Sequence, residues 1–150
     1  MKKVFLGEAV TRYKAKKNPV KVNFRGSRDV YNTMKPLFGH NLYLKEVFIV
    51  AYLNKANHIM WCEVSTMGGA DQCTVNAQEV VRKALCGNAQ GVIIAHNHPS
   101  GALKPSENDR RITKKLRTGL KYFDIQLLDH LIFANDTYYS FCDNGEGSLA

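Results

Sequence analysis

The chain has 150 residues, of which 45% are hydrophobic and 23% are charged, an ordinary composition for a soluble globular protein. This length suffices for one domain with a buried core. The apolar runs are shorter than the roughly 18 residues of a membrane span, and Glu8 interrupts the N-terminal apolar run that a secretory signal needs. We therefore expect a cytoplasmic protein that does not enter a membrane.

The net charge of +8 is concentrated at the N-terminus. Residues 1–28 hold nine lysines and arginines against the single acid Glu8, whereas the rest of the chain is balanced. We predict a basic N-terminal arm over residues 1–25. Such an arm suits a phosphate backbone, as in DNA, or an acidic partner. A tail that only increases solubility is an equally weighted alternative.

The cysteines do not form a recognisable metal-binding or disulfide pattern. No pair has C-x-x-C spacing, so we predict reduced thiols in the core or on the surface. The four positions are Cys62, Cys73, Cys86 and Cys142.

The first predicted elements after the arm are a helix and a β-hairpin. Ser27 can cap a helix that runs to about Phe38. The β-rich runs Tyr43–Leu53 and His58–Ser65 are separated by four residues typical of a turn, which predicts a hairpin.

The second half of the chain predicts two helices and three more strands. Asn76 can cap a helix with Glu79 at its third position, and the wholly apolar run Gly91–Ala95 is typical of a strand covered on both faces. The remaining elements are a helix from Glu107 to about Tyr122 and two strands, residues 125–134 and 137–142. This order predicts the α/β (α+β) class: a single domain over residues 26–150, with a mixed β-sheet and flanking helices.

Two histidines stand at the end of the apolar run. Residues two apart in a strand project from the same face, so His96 and His98 can reach one ion while Asn97 points away. Pro99 favours an extended backbone at His98, which preserves this geometry. A His-x-His pair alone is weak evidence for a metal, because short histidine pairs often only form hydrogen bonds.

Ser106 and Asp109 follow at a spacing that has two compatible interpretations. Ser-x-x-Asp is a helix-capping pattern, which is the more common role. A carboxylate near a helix N-terminus is also held ionised, as a metal ligand must be. His96, His98 and Asp109 would supply three protein ligands and leave a fourth position for water, which is typical of a catalytic zinc site.

The spacing His-x-His, seven residues, Ser, two residues, Asp resembles the signature of the JAMM (MPN/JAB) metalloproteases. Longer stretches resemble the RadC-like branch of that superfamily, and together they run from about Ser27 to Phe141. The resemblance implies a JAB/MPN-like domain with layering like that of the cytidine deaminases. The matching stretches are IIAHNHPSG, KPSENDR, LLDHLI, YYSF, EVSTMGG and VVRKAL.

This resemblance implies a zinc-dependent metallopeptidase or isopeptidase that hydrolyses an amide bond in a peptide or protein substrate. His96, His98 and Asp109 would ligate one Zn²⁺ per chain, and Ser106 would stabilise the oxyanion. The upstream glutamate that the family uses as general base corresponds to Glu46. An exposed charge at a strand end is the alternative interpretation of Glu46, and three other glutamates compete less well for the role: Glu63, Glu79 and Glu107. Two imidazoles and a carboxylate also suit iron or manganese.

A second hypothesis is a DNA-repair-associated, nucleic-acid-binding protein whose metal site is structural or vestigial. The basic arm supports it, and so does a helical run of cations that together with the arm would track phosphates. Such a run is more often a solvated face. Its members are Arg110, Lys114, Arg117 and Lys121.

Asp129 and His130 lie within the stretch LLDHLI. We interpret them as a hydrogen-bonded structural pair, and a role in orienting a metal ligand is the alternative.

Overall fold

A computed structural model of the protein describes residues 13–14, 16–17, 22–67 and 75–148. Within these residues the chain forms six strands, four α-helices and one 3₁₀ helix. In chain order they are β1 (Val22–Asn23), α1 (Ser27–Phe38), α2 (Asn41–Leu44), β2 (Val47–Leu53), β3 (His58–Met67), α3 (Ala77–Cys86), β4 (Gly91–Asn97), α4 (Glu107–Lys121), β5 (Gln126–Ala134), β6 (Thr137–Ser140) and the 3₁₀ helix Glu146–Ser148.

The six strands form one mixed sheet in the order β1-β3-β2-β4-β5-β6. Only β4 and β5 pair in parallel, and the other neighbours are antiparallel. Every residue of β2 and β4 is buried. Continuous apolar runs belong inside a sheet that is covered on both faces, which explains why these two strands lie at its centre.

Side-chain alternation along the central strands separates two hydrophobic cores. Val92 and Ile94 of β4 pack with residues of α3 and α4. Ile93 and Ala95 pack on the opposite face with residues of α1 and α2. The helices therefore flank the sheet on both sides, and the predicted single domain with a mixed sheet and flanking helices is confirmed.

The sequence interpretation is wrong in two places before β2. The predicted strand Tyr43–Leu53 begins only at Val47, because Asn41–Leu44 forms the short helix α2. Tyr43 and Leu44 are exposed, so their apolar character reflects surface position and not a buried strand.

Ser27 is the first residue of α1, not its cap. Gly26 occupies the cap position without a side-chain hydrogen bond. The Ser27 hydroxyl lies 2.9 Å from the Tyr138 hydroxyl and donates to the Asp143 carboxylate at 2.5 Å, so it ties α1 to the C-terminal part of the domain.

Other local predictions are confirmed. The Asn76 side chain accepts the Glu79 N–H and caps α3, β2 and β3 form the expected antiparallel hairpin, and α4 begins at Glu107.

Parts of the sequence interpretation lie outside the described residues. Most of the predicted arm, including residues 1–12 and 18–21, lies outside the described residues, and Cys73 does too. Within the predicted arm, β1 pairs with the start of β3. The described cysteines Cys62, Cys86 and Cys142 are free thiols, and no helix of the described chain has the length and apolar character to cross a membrane.

Candidate metal centre

The end of β4 and the first turn of α4 bring three potential metal ligands together. The Nε2 atoms of His96 and His98 lie 2.9 Å apart. The carboxylate of Asp109 approaches both, with Oδ1 at 3.0 Å from His96 Nε2 and Oδ2 at 3.3 Å from His98 Nε2. One ligand atom from each residue lies within 4.8 Å of the others, so this ligand cluster can bind a metal ion.

Asp109 has a structural role in addition to its place in the ligand cluster. Its Oδ2 accepts the Ser106 N–H at 2.7 Å, and its own N–H donates to the Ser106 hydroxyl oxygen at 3.1 Å. These reciprocal bonds form a complete capping box at the start of α4. The capping interpretation and the ligand interpretation therefore hold for the same side chain, because capping fixes the carboxylate beside the histidines.

The hydrogen bond of His98 leaves its Nε2 free for a metal. Its Nδ1 lies 2.6 Å from the carbonyl oxygen of Ala102. A carbonyl oxygen only accepts, so Nδ1 carries the proton. In a neutral ring the proton on Nδ1 leaves a lone pair on Nε2, which faces Asp109.

A chain of hydrogen bonds assigns the same tautomer to His96. The Thr113 hydroxyl donates to the carbonyl oxygen of Asp109 at 2.5 Å, so its oxygen accepts from His130 Nδ1 at 2.6 Å. The other nitrogen of a neutral His130, Nε2, then accepts from His96 Nδ1 at 2.8 Å. His96 Nε2 is thereby left with its lone pair directed at the ligand cluster.

His130 is held in its neutral form by its surroundings. The ring is fully buried and stacks on Phe141 at 4.6 Å between centroids. Burial, followed by the electrostatic influence of the neighbouring His96, lowers the pKa of His130 well below its ordinary value.

The atoms that face one another in the ligand cluster are two imidazole nitrogens with lone pairs and a negatively charged carboxylate. Burial alone would raise the pKa of Asp109, but its close contacts with the imidazoles of His96 and His98 outweigh burial and hold the pKa far below its ordinary value. For His98, burial lowers the pKa, and the stronger combined effect of Asp109 and the Ala102 carbonyl raises it. Three acceptors that face one another need a proton or a cation between them. Two imidazole nitrogens and one carboxylate fit Zn²⁺.

Glu46 lies on the same side of the sheet as the ligand cluster. It directly precedes β2 and is half-buried. Phe48, two residues further on, stacks on the His96 ring with the centroids 5.8 Å apart and the planes at 8°. Alternation along an extended chain places Glu46 on the face of Phe48. After burial and Asp109, the Glu46 charge is a further influence on the pKa of His98, which it raises.

The competing glutamates are engaged elsewhere or point to solvent. Glu63 accepts from Lys83 at 2.7 Å, and Glu79 pairs with Arg82 at 2.6 Å on the surface of α3. The side chain of Glu107 is 97% exposed. Glu46 therefore fits the site better than these three.

Ser106 is exposed at the start of α4, next to Asp109. Its hydroxyl oxygen accepts the Asp109 N–H, so its proton remains available for donation. The position is compatible with a donor to a substrate oxygen.

Two residues orient His96: sequence reasoning missed Thr113 and gave an orienting role for His130 only as the alternative. Thr113 lies four residues after Asp109 on one helix face, which was a usable signal. Asp129 and His130 are hydrogen-bonded as predicted, because Asp129 Oδ1 accepts the His130 backbone N–H at 2.7 Å, but the two side chains have different partners. The Asp129 carboxylate accepts from Ser140 at 2.7 Å and has a pKa raised by burial, whereas His130 contacts the metal-ligand candidate. The parallel pairing of β4 with β5 creates this contact and leaves no local sequence signal.

The chain is similar to known proteins over most of its length. A family model described as the RadC-like JAB domain matches residues 24–146. A UPF0758 protein of Paraburkholderia xenovorans is 43% identical over 101 residues, which are 67% of this chain and 40% of that protein. A UPF0758 protein of Flavobacterium johnsoniae is 39% identical over 119 residues, 79% of this chain and 51% of that protein. The chain thus aligns with about half or less of the length of these relatives.

Proposed function

The chain belongs to the RadC-like JAB domain family, and on this premise we propose that it is a zinc-dependent metallopeptidase or isopeptidase. The observation that carries the proposal is the convergence of His96, His98 and Asp109, whose potential ligand atoms lie within 4.8 Å of one another. Three protein ligands leave one tetrahedral position for water or substrate, as in catalytic zinc sites.

The proposed reaction is hydrolysis of an amide bond in a peptide or protein substrate. A bound Zn²⁺ supplies Lewis-acid chemistry, lowering the pKa of water to about 7 and polarising a carbonyl group. Glu46 takes a proton from the attacking water and passes it to the leaving amine. Ser106 donates its hydroxyl proton in a hydrogen bond to the oxygen that becomes negative in the transition state.

The proposal is tested with the full chain, loaded with Zn²⁺, on libraries of peptides and isopeptides. We expect one zinc per chain by metal analysis and cleavage by the wild type. Glu46→Gln keeps the shape of the side chain but removes the base, so it should retain zinc and lose about 100-fold or more of the rate. Loading with iron or manganese in parallel identifies the metal that supports cleavage.

Glu107→Gln is the matched control for this experiment. It removes the same charge from a side chain that is close in sequence to the site but 97% exposed. We expect wild-type cleavage from this variant. Equal activity of Glu46→Gln and the wild type would remove Glu46 as the base, and a zinc-loaded wild type that cleaves no library member would contradict the peptidase proposal.

Nucleic-acid binding is the second candidate function, with the metal site structural or vestigial. One observation favours it: from Arg110 to the end of α4 at Lys121 the helix has six basic residues and no acid, and four of them are exposed, namely Arg111, Lys114, Lys115 and Lys121. We expect DNA affinity, if this face and the arm contact phosphates, to fall steeply with salt. Affinity for duplex and single-stranded DNA that does not change with salt would remove this candidate.

We also propose that the protein works in a reducing compartment, the cytoplasm. The free thiols of Cys62, Cys86 and Cys142 support this location, because thiols persist where glutathione and thioredoxin keep them reduced. Fractionation of cells that express the full chain, with detection of the protein in the soluble cytoplasmic fraction, tests it.

A further inference from the structure

Asn97 stands between the two histidine ligands but faces away from them. Its side chain is fully buried, and alternation along β4 directs it to the face of Ile93 and Ala95, where α1 and α2 pack. A polar side chain in an apolar layer needs hydrogen-bond partners inside the protein. The partners of Asn97 therefore indicate what it does.

The side-chain hydrogen bonds of Asn97 go to the backbone of α2 and of the segment that leads from it into β2. Its Oδ1 accepts the Val47 N–H at 2.7 Å. Its Nδ2 lies 3.1 Å from the carbonyl oxygens of Asn41 and Leu42, and 2.9 Å from that of Lys45. A four-residue helix such as α2 cannot satisfy most of its own carbonyl groups. The Asn97 amide thus supplies donors to the carbonyl groups of α2 and of Lys45, and an acceptor to the start of β2.

Two of these bonds hold the two peptide groups on either side of Glu46. The Lys45 carbonyl belongs to the peptide group that precedes the Glu46 Cα, and the Val47 N–H belongs to the one that follows it. Both are held by the same amide. Fixing both peptide planes fixes the backbone angles of Glu46 and the direction of its Cβ.

The direction that results is toward the ligand cluster. Val47 packs in the core on the α1 side, and Phe48 stacks on His96 on the other side. Glu46 alternates with Val47 and so faces the side of Phe48. Asn97 therefore lies on one face of the sheet and the neighbouring histidines on the other, but both contribute to the same site.

We propose that Asn97 is a positioning residue: its side-chain amide fixes the peptide groups around Glu46 and so aims that carboxylate at the ligand cluster. The proposal rests on the proposed function of Glu46. It explains why an amide, with two donor protons and an acceptor oxygen, stands between the two histidines. A misplacement of about 1 Å in a catalytic group can cost about 100-fold in rate.

The test uses Asn97→Ser in the zinc-loaded full chain, with zinc affinity, cleavage kinetics and amide hydrogen exchange as readouts. We expect unchanged zinc affinity, because the ligands are intact. Exchange of the amides of residues 41–47 should become about tenfold faster or more, while α4 and β5 keep their protection. In cleavage, kcat should fall about tenfold or more with KM little changed. The double variant Asn97→Ser/Glu46→Gln should have the same kcat as Glu46→Gln alone, because Asn97 acts through Glu46.

Leu53→Ala is the control for general destabilisation. Leu53 lies in the core at the other end of β2 and is fully buried. A cavity there should lower stability without a selective change in residues 41–47. Suppose that Glu46→Gln abolishes cleavage but Asn97→Ser keeps the hydrogen-exchange rates and the kcat of the wild type. This result would overturn the proposal for Asn97 and leave the proposed function intact. Failure of the wild type to cleave would instead count against the proposed function.

A measurement on the wild type covers the case in which Asn97→Ser does not fold. The side-chain amide protons of Asn97 should exchange as slowly as the backbone amides of β4, because they are fully buried and bonded. Rapid exchange of these protons, at the rate of an exposed asparagine, would overturn the proposed role.

Discussion

At the scale of single residues, the metal-binding capacity of His96 depends on one hydroxyl proton. Thr113 donates to the Asp109 carbonyl and therefore accepts from His130, which in turn accepts from His96. We predict that Thr113→Val, which keeps the shape and removes the hydroxyl, lowers zinc affinity by about 10-fold or more. Competition with a chromophoric chelator measures this affinity.

Thr113→Ser is the matched control, because it keeps the hydroxyl and removes a methyl group. It should bind zinc nearly as tightly as the wild type, and nitrogen chemical shifts of the imidazoles should show the His96 proton on Nδ1. If valine and serine at position 113 give the same zinc affinity, the hydrogen-bond chain does not control the ligand.

The pKa of His98 predicts how zinc binding depends on pH. Burial lowers this pKa, but the hydrogen bond with Asp109 and the bond to the Ala102 carbonyl raise it above its ordinary value. A proton on Nε2 competes with zinc. Zinc affinity should therefore be highest above the raised pKa and fall as pH decreases through it, as titrations at several pH values measure.

The stability of the metal-free protein should depend on pH in the opposite direction because of His98. A histidine whose folded pKa is raised contributes stability below its unfolded pKa, and this contribution is lost as pH rises through the folded pKa.

The zinc titrations also show what would contradict the pKa direction of His98: a zinc affinity that stays constant between about pH 5.5 and 8.5.

At the scale of elements, the end of α3 is fixed by contact with β3. A Cβ added to Gly87 would lie 2.1 Å from the Cη2 atom of Trp61. That ring is not free to move, because it stacks on Tyr52 with centroids 4.3 Å apart. We predict that Gly87→Ala lowers the free energy of unfolding by about 1–3 kcal/mol, measured by urea denaturation of the metal-free protein.

Gly119→Ala is the control within a helix. Its nearest new neighbour would be Val81 Cγ2 at 3.6 Å, an ordinary contact. Alanine is the better helix former, so this variant should gain up to about 1 kcal/mol. If Gly87→Ala instead stabilised the protein as much as Gly119→Ala, the Trp61 ring would be able to move aside, and the prediction would be wrong.

The elements that carry the ligand cluster could be predicted from the sequence, because their signals are local. The apolar run before His96 predicts a buried strand, and Ser106 with Asp109 predicts the start of α4. The short helix α2 could not be predicted in this way. Tyr43 and Leu44 continue the apolar pattern of β2, and a long-range bond from Asn97 ends the helix instead of a local capping residue.

At the scale of the whole molecule, strand pairing brings together parts of the site that lie far apart in the sequence. His130 reaches His96 because β5 lies parallel to β4, with Ile94 opposite His130 in the register. Glu46 lies on the side of the ligand cluster because β2 pairs with β4 and places Phe48 opposite His96. The family resemblance predicts Glu46 as the general base, whereas spacing along the chain gives no distance between residues 46 and 96.

The central claim is that one divalent ion binds to His96, His98 and Asp109 with a position left open. X-ray absorption at the zinc edge, on the zinc-loaded full chain, tests it most directly. We predict one zinc per chain with two imidazoles and oxygen ligands at about 2.0–2.2 Å, and no sulfur. A sulfur shell at about 2.3 Å, or four protein ligands with no exchangeable oxygen, would contradict this account.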